Sequence, residues 1–235
     1  RIFGGYDPIE PNSNKAKEYA HIFEEGTRLG MDIGAYLYPL RSQRWQNREE
    51  VLCRVTNGNL TKITYPRHPE VIEYARETAD AFIRRFEEYP SFTNILLNSE
   101  YQVDARFVNS EIEGFAKTEA EIDDLKEVIN SKPLSSENGI INDKDPKYRY
   151  FKWWWEKGNG TNILNMEMSK TIKNRRSDIL TWADPYRLAP VYDTHTGLDC
   201  ISTWTYPFPD IKNMCFTNVL QAVAKKEQQK VMQTI

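Results

Sequence analysis

The chain has 235 residues and a mass of 27.6 kDa, enough to bury a sizeable core as one domain or as part of a larger one. Its formal charge is −3, with acidic and basic residues mixed along the length, which argues against the concentrated basic footprint of a nucleic-acid binder. Its longest apolar runs fall well short of the roughly 20 residues that a membrane-crossing helix needs.

In chain order, Arg1 to Asp7 reads as a strand running into a loop that Pro8 and Pro11 keep irregular. A helix is predicted from about Lys15 to Leu29, with Ala16, Tyr19, Ala20 and Phe23 on one face and Gly30 as its stop. Met31 to Tyr38 is the next strand, with Gly34 suited to a tight barrel interior and Tyr38 at the rim. Between Arg41 and Pro69 the pattern is irregular. Val51–Val55 and Leu60–Tyr65 around Asn57-Gly58 read as a small hairpin, the first of them also counted as a barrel strand.

A long helix follows from Glu70 to Glu88, where Val71, Ala75, Ala79, Phe82 and Phe86 recur at three- and four-residue spacing. Phe92–Leu97 then has buried-strand character and runs into Asn98-Ser99-Glu100. Tyr101–Phe115 reads as an elaborated loop, and Thr118 with Glu121 has the spacing of a capping box for a short helix ending near Asn130. Ser131–Pro146 reads as a loop. The Trp153-Trp154-Trp155 run falls in a helix from Lys147 to Lys157, where at most two of the three can share a buried face.

Thr161 is expected to cap a helix reaching Lys173. Asp178–Pro185 is a strand ending in Asp184, and Leu198–Tyr206 is another, stopped by Pro207. Ile211 to about Met232 reads as a closing helix. Alternating helices and strands make the fold class α/β, and the polar strand ends suggest a TIM-type (β/α)8 barrel or a large part of one. The whole of 1–235 is expected to form a single barrel domain of a longer chain. The start at Arg1, without methionine or apolar leader, fits a processed or excised product.

Cys53, Cys200 and Cys215 are odd in number and irregularly spaced, so they read as free thiols rather than a disulfide framework or a zinc motif. His21, His68 and His195 have no ligand spacing, and no glycine-rich loop opens a helix, so neither metal nor cofactor is expected. Asn59-Leu60-Thr61 and Asn159-Gly160-Thr161 are glycan acceptors only in a glycosylating pathway. The location stays open, with secreted or periplasmic placed ahead of cytoplasmic.

In a β/α barrel, chemistry sits where the strands end, so Glu100 is the leading candidate for an acid/base residue; the competing reading is a solvated glutamate opening a loop. Acid/base chemistry with paired carboxyl groups needs a second acid at a neighbouring strand end. Asp184 is the best-placed partner, ahead of Asp7 and Asp210. It also reads as an ordinary cap or a hydrogen-bonding residue beside Pro185. Tyr38, Trp182, Trp204 and Tyr206 are candidates to line a sugar-sized cleft, or simply to pack the end of the barrel.

This order of elements, with a strand to Asn-Ser-Glu, an elaborated loop, a strand to Trp-Ala-Asp and a strand to Thr-Trp-Thr-Tyr-Pro, resembles the glycoside hydrolase clan with catalytic glutamates on strands 4 and 7. It is most similar to the β-galactosidase-type family 42. The resemblance implies that Glu100 is the general acid/base, that Asn98 touches the sugar and that the aromatic residues of the later strand lie near it. Two departures stand out. Ser99 separates Asn98 from the glutamate, which puts the asparagine's place beside the sugar in question. Six strands are counted where the barrel has eight, so the strand bearing the nucleophile would lie beyond Ile235. The function implied is hydrolysis of an oligo- or polysaccharide; the alternative is a non-catalytic carbohydrate-binding barrel.

Overall fold

The computed structural model describes residues 2–101, 103–132, 140–184, 197–204 and 229–234, with residues 211, 215, 219 and 222. Six parallel strands form one sheet in the order β1 (Ile2–Gly5), β2 (Ile33–Leu37), β5 (Phe92–Leu97), β7 (Leu180–Ala183), β8 (Cys200–Trp204) and β9 (Lys230–Thr234). Helices α1 (Asn14–Leu29), α2 (Pro69–Phe86) and α6 (Thr161–Lys173) connect strands and pack on one face. The fold is α/β, a large part of a β/α barrel.

The helices form where the sequence places apolar residues at helical spacing. In α1, Ala16, Tyr19, Phe23 and Gly26 are buried; the Ser13 side chain accepts from the Ala16 amide, and Gly30 closes the helix at φ 66°. In α2, Pro69 opens the first turn, and Val71, Ala75, Ala79, Phe82 and Phe86 all face inward. These side chains meet Ile33, Ala35 and Leu37 of β2 and Ile95 and Leu97 of β5 in the main core.

The opposite face of the sheet is the barrel interior. The registers align Phe3, Tyr36, Leu96, Trp182, Cys200 and Lys230 as one row across all six strands. A row closer to the strand starts holds Gly34 beside Asn94, where a Cβ on Gly34 would lie 2.2 Å from Asn94 Oδ1. This approach is the physical reason for glycine at a strand centre.

A second, antiparallel sheet has the order β4 (Leu60–Thr64), β3 (Leu52–Val55) and β6 (Phe107–Val108). With α3 (Ser110–Glu119), α4 (Leu125–Asn130) and α5 (Pro146–Trp153) it encloses its own core of Cys53, Tyr65, Ile112, Tyr150 and Trp154. The hairpin expectation therefore holds, but β3 is not a barrel strand. Its pairing partners are β4 and β6, so β5 is third in the parallel sheet.

Four other expectations change. The 101–115 segment contains β6 and most of α3, which Asn109 starts by accepting from the Ile112 amide, and Thr118 lies in that helix's last turn. The following short helix, α4, is capped by Asp124 instead of Thr118. Thr161 is the first residue of α6 rather than its cap; Gly160 precedes it at φ 73°. The closing segment is helical at Ile211, Cys215, Val219 and Ala222, but its predicted end is strand β9, whose backbone pairs with β8 from Cys200↔Lys230 to Trp204↔Thr234.

Of the tryptophan run, Trp153 and Trp154 are buried and Trp155 is only partly so, because α5 passes into a π-helical turn at Trp154–Gly158. No described helix is long and apolar enough to cross a membrane.

Candidate active site

Strand β5 ends in a sharply turned Asn98-Ser99-Glu100. Asn98 and Glu100 both have left-handed backbones, at φ 45° and 56°. Asparagine tolerates that region, while a glutamate there stores about 1–2 kcal/mol of strain, a cost that tends to collect at functional sites. The turn leaves Glu100 exposed at the C-terminal end of the strand, on the wall of a cavity of about 830 Å³.

That cavity lies between the rim of the parallel sheet, the 39–47 turn and the β3–β4 hairpin. Tyr6, Tyr38, Arg41, Lys62, Glu100 and Tyr101 contribute to its walls. Tyr101 anchors the hairpin to the rim, since its hydroxyl donates to the Thr64 carbonyl. Tyr38 is 1 % exposed and stands edge-on to Tyr101 at 5.9 Å, with the Arg41 guanidinium 4.5 Å from the centre of its ring. Burial chiefly pushes the Tyr38 phenol up to about 12, so it remains a neutral hydrogen-bonding group at ordinary pH.

Asp184 follows β7 and is level with this turn. Ser99 Oγ donates to its Oδ2 at 2.7 Å, and the Glu100 amide donates to its carbonyl at 3.3 Å. Its Oδ1 is buried without a hydrogen-bond partner among the described residues. Burial raises the Asp184 carboxyl to about 6, and the charge of nearby Glu100 adds to the rise, whereas the Ser99 hydrogen bond opposes it. The site thus places side by side a carboxyl that holds a proton near pH 6 and a glutamate open to the cavity.

The other predicted residues divide. Asn98 does not reach the cavity: it is 2 % exposed, and its Nδ2 donates to Asn165 Oδ1 at 2.8 Å and approaches Met168 Sδ, both on α6. The extra residue, Ser99, takes the neighbouring position instead. Trp182 lies one layer below the rim, where its indole donates to Asn94 Oδ1 at 3.2 Å and its ring packs with Leu96 and Cys200. Asp7 is held by the hydroxyls of Ser42 and Tyr74. Trp204 ends β8, but its side chain lies outside the described residues, as do Tyr206 and Asp210 altogether.

The sequence marked Ser99 only as a departure from the family pattern and did not mark Arg41, Tyr101 or Ser202 as site residues. Ser202 is fully buried on β8, one step beyond the Ala183–Ile201 pair, and its Oγ has no hydrogen-bond partner among the described residues. The alternation of Cys200, Ser202 and Trp204 was a signal that could have marked it as inward-facing. Among the described residues no group of three or more His, Cys, Asp or Glu side chains is arranged to hold a metal ion.

No protein-family model matches the chain, and no curated protein matches it in sequence. Its fold is similar to solved β-galactosidases. The enzyme from Rahnella sp. R3 aligns with TM-score 0.64 and 11 % identity over 96 % of this chain and 38 % of its own. That from Bacillus circulans sp. alkalophilus aligns with TM-score 0.59 and 14 % identity over 95 % and 43 %. An exo-β-agarase aligns with TM-score 0.53 and 9 % identity over 91 % and 31 %. The chain spans about two fifths of the two β-galactosidases, and at these identities what is shared is the barrel fold of glycosidases.

Proposed function

We propose that the protein is a glycoside hydrolase of the β-galactosidase type, acting on an oligo- or polysaccharide, with family 42 as the nearest pattern. Glu100 is its general acid/base, Tyr6 offers an aromatic face to the sugar, and the buried Tyr38 and half-buried Tyr101 shape the wall of the cavity. The observation that carries this reading is Glu100 itself, a strained, exposed carboxylate at the C-terminal end of a parallel barrel strand, facing a cavity large enough for more than one sugar ring. Asp184 serves as a buried proton-holding neighbour that shapes the charge of Glu100 or takes the second role itself.

Hydrolysis needs that second carboxylate. Glutamates on strands 4 and 7 are three strands apart, and three strands on from β5 is β9. Lys230–Thr234 carry no acid, so under this reading the partner is Asp184 or a residue beyond β9 in a longer polypeptide.

The same observation favours a second reading, a carbohydrate-binding barrel that lacks the nucleophile. Assay of the full-length protein against a panel of aryl β-glycosides, galactosides first, separates the two. Turnover that is lost in Glu100→Gln while saccharide binding persists supports the hydrolase. Saccharide binding with no glycoside turned over by the unaltered protein supports the binding module.

A further inference from the structure

The cavity beside Glu100 is cationic in a chain that is acidic overall. Its described walls bring two cations, Arg41 and Lys62, and one carboxylate, Glu100 itself. Most other described arginines are paired: Arg44 and Arg48 with Glu70, Arg54 with Glu49, Arg67 with Glu119 and Arg76 with Glu167, whereas Arg85 lies over the Phe86 ring. Among the described residues neither Arg41 nor Lys62 has a carboxylate within ion-pair distance.

Arg41 is also held in place. Its guanidinium lies over the buried Tyr38 ring at 4.5 Å. A guanidinium restrained against a ring keeps N–H groups free for the paired, charge-assisted bonds that planar oxyanions accept. Lys62 lines the cavity from a separate element. It lies on β4 with its side chain exposed, and the Tyr101–Thr64 bond ties that strand to the rim. Gln43, Gln46 and Asn47 add neutral amides suited to sugar hydroxyls.

We propose that the saccharide recognised here bears an anionic substituent, a uronate carboxylate or a sulfate ester, which Arg41 and Lys62 bind at the wall of the cavity. This rests on the carbohydrate reading given above and narrows it to acidic saccharides. Glu100 would repel such a group from its own end of the cavity, so the anion occupies a ring next to the one that is cleaved. A charge-assisted pair of this kind accounts for about a ten- to hundredfold difference in affinity.

The test is calorimetric titration of the full-length Glu100→Gln protein, which binds without turnover, with three probes: a neutral galacto-oligosaccharide, an oligogalacturonate and a sulfated galacto-oligosaccharide. The expected result is that one or both acidic probes bind at least tenfold more tightly than the neutral one and lose affinity as salt is raised. Adding Arg41→Ala should erase the preference, Arg41→Lys should keep part of it, and Lys62→Ala should reduce it from a separate element. The uronate and sulfate arms distinguish the two sources of charge.

Equal affinity for neutral and acidic probes, a preference that survives both alanine variants, or no binding of any probe overturns the inference. Turnover of aryl glycosides by the unaltered protein decides the hydrolase reading independently. Absence of both saccharide binding and glycoside turnover marks failure of the underlying carbohydrate reading.

Discussion

Ser99 Oγ donates a 2.7 Å hydrogen bond to Asp184 Oδ2, joining the C-terminal ends of two neighbouring barrel strands. The hydroxyl stabilises the ionised carboxylate, while the burial around it favours the neutral acid, and burial prevails.

Stability should therefore depend on pH through Asp184. Its carboxyl titrates near 3.8 when unfolded and near 6 when folded, so the folded state binds the proton more tightly. The contribution is fully present below about pH 4, is lost as pH rises through 6 and is constant above that. Two pKa units correspond to ~3 kcal/mol, an upper bound because the carboxyl is only partly shielded from water. Asp184→Asn should be more stable than the parent by ~1–3 kcal/mol at pH 7.5, with the difference shrinking toward pH 4 in urea titrations. A difference independent of pH would contradict the assignment.

Ser99→Ala removes the one side chain that favours the ionised form of Asp184. The midpoint of that carboxyl should move further up, visible in the carboxyl carbon shift of Asp184 followed by NMR across pH 4–9. A downward movement would show that the hydroxyl does not donate to it.

Glu100→Gln should lower kcat on unactivated glycosides by about 10²–10⁴, the usual contribution of a positioned acid/base. The side chain is exposed, so folding stability should stay within ~0.5 kcal/mol of the parent. Thermal unfolding beside initial-rate kinetics separates the two effects. A rate loss of similar size in Asp184→Asn would mark the two carboxyls as a functional pair.

Gly160→Ala should be costly although it lies far from Glu100 in sequence. Gly160 has φ 73°, and a Cβ there would sit 2.5 Å from Arg67 Cβ and 2.6 Å from the Arg67 backbone nitrogen. Left-handed strain and a clash with backbone together amount to ~2–4 kcal/mol. Because Gly160 starts the helix whose Asn165 holds Asn98, denaturation should be accompanied by a change at the rim, detectable as altered saccharide affinity.

Local rules carried much of the fold. The spacing in Val71, Ala75, Ala79, Phe82 and Phe86, the glycine stop at Gly30 and the apolar runs at Phe92–Leu97 and Leu180–Ala183 each arise from near-neighbour chemistry, so helix faces and central strands were legible in the chain. Glu100 at a strand end was legible for the same reason. The sequence could not decide that Val51–Val55 leaves the barrel, because a strand's partner is chosen by residues far away, here Leu60–Thr64 and Phe107–Val108. Nor could it show that Asn98 turns toward α6 while Ser99 reaches Asp184. That depends on two left-handed residues and on a carboxyl 85 positions later, brought together only when β5 and β7 pair. The sequence by itself determined the main helix faces, the central strands and where an acid meets a strand end. Tertiary structure decided which strands share a sheet, which polar groups lose water, and hence which carboxyl keeps its proton.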